Sequence, residues 1–179
     1  MLSKKLLVLF AVLLALAPLS AFGGGRPFGG AVYVMSNASE GNEIVLFDRD
    51  FHGGLTLADA YPTNGLGTGG ENIDPLASQG SLILSRNHRW LFAVNAGSDD
   101  ISSYRVNFGS GNVHLKDADA ASGDKPIDMA TTASGRFLYA LNAADGTVGA
   151  FRISPYGFLT DLGHTAGLPL LFAQGIAVR

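Results

Sequence analysis

The sequence predicts an all-β fold, a β-propeller of four-stranded antiparallel blades with about three blades' worth of strands present. Three observations lead there. Arg89-Trp90-Leu91-Phe92-Ala93-Val94-Asn95-Ala96 recurs without a gap, 47 residues later, as Arg136-Phe137-Leu138-Tyr139-Ala140-Leu141-Asn142-Ala143. Each repeat holds four short apolar or alternating runs, separated by Gly, Asn, Asp and Ser turns. After residue 23, no stretch keeps helical periodicity for three turns, so the runs read as strands.

The N-terminal segment stands apart from that fold. Lys4 and Lys5 precede an apolar run from Leu6 to Leu19, interrupted by Pro18, and Ser20-Ala21-Phe22-Gly23 follows. A basic start, a short apolar middle and small residues at the exit predict a signal peptide over residues 1–23, cleaved after Ala21-Phe22-Gly23. The run is 14 residues long, short of the roughly 20 that a membrane-spanning helix needs. No stable membrane span is therefore expected; the alternative is an uncleaved anchor. Residues 24–30 read as a Gly-rich linker. The expected location is secreted or periplasmic.

The remaining chain, 31–179, divides into repeat units 31–85, 86–132 and 133–179. The first is divergent, with strands at Val32–Asn37, Ile44–Asp48 and Leu55–Leu57. A second blade is predicted at Ser81–Ser85, Trp90–Asn95, Asp100–Asn107 and Val113–Asp119. The third runs Ile127–Thr132, Phe137–Asn142, Thr147–Ser154 and Leu159–Thr165. Trp90–Val94 and Phe137–Leu141 are apolar on both faces, as strands stacked between neighbouring blades must be. Tyr104-Arg105 and Phe151-Arg152 alternate, as strands nearer the rim should. Gln174–Val178 opens a fourth copy as a first strand. Propellers typically close with about four to eight blades, so the expectation is a fragment of a protein nearer twice this length. The alternative is a homodimer through open blade edges.

Composition sets further bounds. The chain of 179 residues is 47% apolar and 15% charged, with a formal charge of −3 and no cysteine. That excludes a disordered polymer, disulfide scaffolds and thiol chemistry. The mild acidity argues against a nucleic-acid partner. His52, His88, His114 and His164 never fall at a metal-ligand spacing, so no metal and no other cofactor is expected. Gly65-Leu66-Gly67-Thr68-Gly69-Gly70 has dinucleotide-loop spacing, but Pro75 and a strand follow instead of a helix. There is no G-x-S-x-G elbow and no H-E-x-x-H helix.

A strand ending in Asn, then an aromatic-Arg or aromatic-Asp strand, then Gly-x-Leu-Thr, resembles the lactonase family of seven-bladed propellers. That family includes the propeller type of 6-phosphogluconolactonase and the fungal muconate cycloisomerases. The residues that carry the resemblance are Ala31–Thr63, with Gly54-Leu55-Thr56 after Phe47-Asp48, and Gly80–Thr165, with Gly157-Phe158-Leu159-Thr160 after Phe151-Arg152. The likeness implies hydrolysis or isomerisation of a small sugar or acid lactone. It also implies Arg, His and Glu side chains around one mouth of the central channel, several at the start of a blade's first strand. Here those starts read Ser78-Gln79-Gly80, Lys125-Pro126-Ile127 and Ala173-Gln174-Gly175, without an Arg-His pair. Either the catalytic residues lie in further blades, or the fold is present without the chemistry.

In a propeller, the loops from fourth to next first strand share a face with the loops from second to third strand. The long Asn64–Gln79 connection lies on that face with the Asn95-Ala96-Gly97-Ser98 and Asn142-Ala143-Ala144-Asp145 turns and with Lys125. It is the predicted ligand rim, because long loops on rigid scaffolds carry function. Lactone opening needs a base for water and a donor for the oxyanion. Glu71 or Asp74 is the candidate base and Lys125 the candidate cation. Gln79, Asn95, Asn142 and Gln174 are the candidate ligand-binding residues. The competing reading is two solvated acids and asparagines that only close turns. The function expected is an exported lactonase-like propeller acting on a small-molecule lactone. The alternative is a non-catalytic secreted propeller that binds a carbohydrate, peptide or protein.

Overall fold

A computed structural model describes residues 29–70, 80–121, 123–168 and 173–179. These residues form eleven strands in three antiparallel sheets and no helix. The first sheet is β1 (Gly30–Met35), β2 (Glu43–Arg49) and β3 (Leu55–Pro62), in that order. The second is β4 (Leu82–Leu84), β5 (Trp90–Asn95), β6 (Asp100–Val106) and β7 (Val113–Ala121). The third is β8 (Pro126–Thr131), β9 (Phe137–Asn142), β10 (Thr147–Ile153) and β11 (Leu159–Gly167). Each sheet is one blade, and the first begins at a second strand. The signal segment 1–23 lies outside the described residues. No described helix is long and apolar enough to cross a membrane.

Register follows the repeat. Leu91 faces Tyr104 across β5 and β6, and Leu138 faces Phe151 across β9 and β10, the same positions 47 residues on. One expected strand does not form. Gln174–Val178 carries no ladder, because a first strand needs a second strand beside it and no described residue supplies one. Instead, Ile176 N–H donates to Asp128 Oδ2 at 3.1 Å. Strand β3 runs on to Pro62, past the predicted end at Leu57, because β2 offers partners as far as Glu43.

Period-two alternation on β5 builds two cores at once. Trp90, Phe92 and Val94 point toward the third blade, where they meet Met129, Leu138, Ala140, Phe151 and Ile153. Leu91 and Ala93 point the other way and meet Ile44, Tyr104, Val106 and Val113, with Tyr33 and Met35 beside them. All six residues of β5 are buried. Each fully buried Leu or Phe contributes about 1.5–3 kcal/mol by leaving water. Phenols join blade one to blade two: Tyr33 Oη donates to Gly111 O at 2.6 Å and Tyr104 Oη to Pro62 O at 2.9 Å. Burial raises the pKa of Tyr33, pushes that of Tyr61 up to about 12, and raises Tyr104 furthest. The outermost β3 is exposed along nearly its whole length, as a rim strand is.

Candidate functional site

The connections between blades thread between the turns of adjacent blades, all on one face. Segment 63–70 lies between the β1–β2 turn and the β5–β6 turn. Asn42 N–H donates to Gly65 O, Gly67 N–H to Ala38 O and Gly97 N–H to Leu66 O, all within 2.9 Å. Asn37 clasps the same segment, accepting from Thr68 N–H and donating to Thr68 Oγ1, both at 3.0 Å. The approach is close enough that a Cβ on Gly97 would stand 2.2 Å from Gly67 O. The glycine-rich run is thus a packed backbone clasp. The next connection repeats the arrangement: Ala143 N–H donates to Lys125 O at 2.9 Å and Lys125 N–H to Asp99 Oδ1 at 2.7 Å.

Lys125 is half-buried and sits just before β8, the first strand of its blade. Its φ is +56°, a left-handed conformation that glycine or asparagine adopts more cheaply. The flanking hydrogen bonds to both neighbouring turns hold it there.

Asn95 and Asn142 are both fully buried. Asn95 accepts from Asn42 Nδ2 at 2.9 Å and donates to Ser102 Oγ at 2.8 Å and to Asp100 Oδ1. Asn42 also donates to Val94 O, and Ser102 Oγ to Thr63 O, so the amide ties blade one to blade two. Asn142 donates to Thr147 Oγ1 at 3.0 Å. Neither amide faces solvent. Gln174 is exposed, one residue before Gly175, where a Cβ would lie 3.4 Å from Asp128 Oδ2. Glu71, Asp74 and Gln79 lie outside the described residues.

Asp128 escapes the sequence reading. It sits inside the mostly apolar β8, is 5% exposed, and accepts from Met129 N–H at 2.9 Å as well as from Ile176 N–H. A Cβ on Gly80 would collide with its Oδ1 at 1.8 Å. The carboxylate therefore bonds the C-terminal segment at Ile176 to β8, with the backbone of Gly80, just before β4, packed against it. Its signal is an acid within a mostly apolar strand, but its partner Ile176 lies 48 residues away in the chain. Among the described residues, no three His, Asp or Glu side chains converge on a metal position.

A family model described as "Lactonase, 7-bladed beta-propeller" matches residues 27–170. Among solved structures, the chain is similar to a functionally unknown protein from Desulfotomaculum acetoxidans, with 17% identity and a TM-score of 0.59 over 80% of this chain and 43% of that one. A proposed 6-phosphogluconolactonase from Bacteroides fragilis gives 17% identity and 0.58, over 75% of this chain and 35% of that one. The periplasmic gluconolactonase of Pseudomonas aeruginosa gives 17% and 0.57, over 78% and 39%. These likenesses are of fold, and the chain spans about two fifths of the length of those structures. No curated protein sequence matches it significantly.

Proposed function

The chain belongs to the lactonase family of seven-bladed β-propellers, and from that premise we propose that it forms part of an exported enzyme that hydrolyses a small sugar or acid lactone. Water adds to the ring carbonyl, a base takes its proton, the ring C–O bond breaks, and a hydroxy acid leaves. The observation that carries this reading is Lys125, a cation held in a strained left-handed conformation between two turns at the start of a first strand. There it would stabilise the oxyanion, with Glu71 or Asp74 as the base and Gln79 and Gln174 as ligand contacts. Export rests on the basic-apolar-small pattern of residues 1–23 and is in keeping with the periplasmic relative.

Lys125→Asn separates function from scaffold. Asparagine accepts positive φ readily, so the variant should be as stable as the parent or up to about 1 kcal/mol more so. Its rate of acid release from gluconolactone, above the spontaneous rate, should fall by about 10²-fold. An unchanged rate would remove Lys125 from the chemistry.

A second reading is favoured by the burial of Asn95 and Asn142, which leaves the rim fewer polar groups for catalysis. In it the same face binds a carbohydrate, peptide or protein without turnover. The free edge of β1, which pairs only with β2 among the described residues, supports a homodimer through open blade edges. Light scattering on the exported protein should then give twice the chain mass; a strictly monomeric mass counts against the dimer.

A further inference from the structure

The opposite ends of the same blades carry an arginine groove. Arg89 precedes β5 and Arg136 precedes β9, at equivalent repeat positions, while Arg152 lies on β10 across from Phe137. Together they line a groove of about 590 Å³ between the second and third blades, with Trp90, Phe137 and Ser154 in its walls. A smaller hollow of about 260 Å³ shares Gly135 with it and adds Arg86. No carboxylate lines either space, and among the described residues none of the four guanidiniums has an ion-pair partner. Arg105 differs: its guanidinium lies over the Trp90 ring, 5.1 Å from the centroid.

The site is braced as well as charged. Val106 N–H donates to Arg89 O and Ile153 N–H to Arg136 O, so the backbone under two of the arginines is fixed. The β10–β11 turn is held against the second blade by Ser103 Oγ donating to Gly157 O at 2.6 Å. Gly157 itself lies flat on the indole, since a Cβ there would come within 2.4 Å of Trp90.

Three cations gathered in one groove, with Arg86 in the adjoining hollow, repel each other, in a chain that carries more acids than bases. Arginine forks match planar carboxylates and phosphoryl groups bidentately. The net negative charge of the protein disfavours long-range attraction of a long polyanion, so a compact ligand suits the groove better. We propose that this groove binds a small organic or inorganic anion carrying at least two carboxylate or phosphoryl groups, bridging Arg136 and Arg152 to Arg86 and Arg89. This site is independent of Lys125, which lies at the other end of the blades.

Calorimetric titration with citrate and with inorganic pyrophosphate tests it, on the full chain at low and at moderate salt. One or both anions should bind with Kd below about 1 mM, and the tighter one distinguishes carboxylate from phosphoryl recognition. Arg136→Gln and Arg152→Gln should each weaken that binding at least about tenfold, with unchanged circular dichroism. Lys116→Gln, an equal charge loss on the exposed face of β7, should leave it unaltered. Failure of both anions to bind, or equal weakening by Lys116→Gln, would overturn the proposal.

Discussion

Asn95→Ala should lower the stability of the protein by about 3 kcal/mol, roughly 1 kcal/mol for each hydrogen bond lost, the unsatisfied groups left behind adding to it. Asn95 is fully buried and makes hydrogen bonds to Asn42, Asp100 and Ser102. Alanine fills none of those roles. It leaves Asn42 Nδ2 with one acceptor, Val94 O, in a site closed to water. Urea unfolding should show a lower midpoint with an unchanged slope, the mark of a native-state loss. The experiment also bears on ligand binding. If Asn95→Ala unfolds at the parental midpoint and changes only ligand affinity, the amide faces a ligand and the network described above is not its main role.

The strands were legible in the sequence because propeller blades stack through both faces of a strand. The runs Trp90–Asn95 and Phe137–Asn142 are continuous apolar stretches closed by asparagine, and the strands begin and end at those residues. The fourth copy at Gln174–Val178 has equal local β-propensity and forms no ladder, since pairing depends on a neighbour rather than on the segment itself. Asp128 stayed hidden for a related reason. Its hydrogen bond to Ile176 joins residues 48 apart, which no periodicity encodes. The arginine groove shows the opposite situation. Arg89 and Arg136 stand in the repeat itself, and Arg105 and Arg152 follow at the same offset. The convergence of Arg89, Arg136 and Arg152 comes from blade packing, while the net charge of −3 conceals a local excess of cations. On the candidate rim, segment 63–70 lies beside the turn that follows Asn95, and the turn that follows Asn142 bonds to residues 124 and 125 instead. Spacing could not reveal that those asparagines turn inward, because a turn asparagine and a buried inter-blade asparagine have the same sequence context.

The two-faced role of β5 leads to the largest expected losses. Phe92→Ala should cost about 3–5 kcal/mol and Leu91→Ala about 2–5 kcal/mol, since both side chains are fully buried and neither site can collapse without moving a sheet. The two losses should fall on different blades. Phe92 packs against Met129, Leu138 and Phe151 of the third blade, whereas Leu91 packs in the cluster with Ile44, Tyr33 and Met35 of the first. Repeat proteins distribute stability as the sum of units and of interfaces between nearest neighbours. Weakening one interface should therefore release the blade beyond it before the other. Native-state hydrogen exchange reads this directly: Phe92→Ala should speed exchange at the Leu138 amide more than at Ile44, and Leu91→Ala should do the reverse. If both variants accelerate both amides equally, the three blades unfold as one cooperative body, and β5 is the centre of a single core rather than the wall between two.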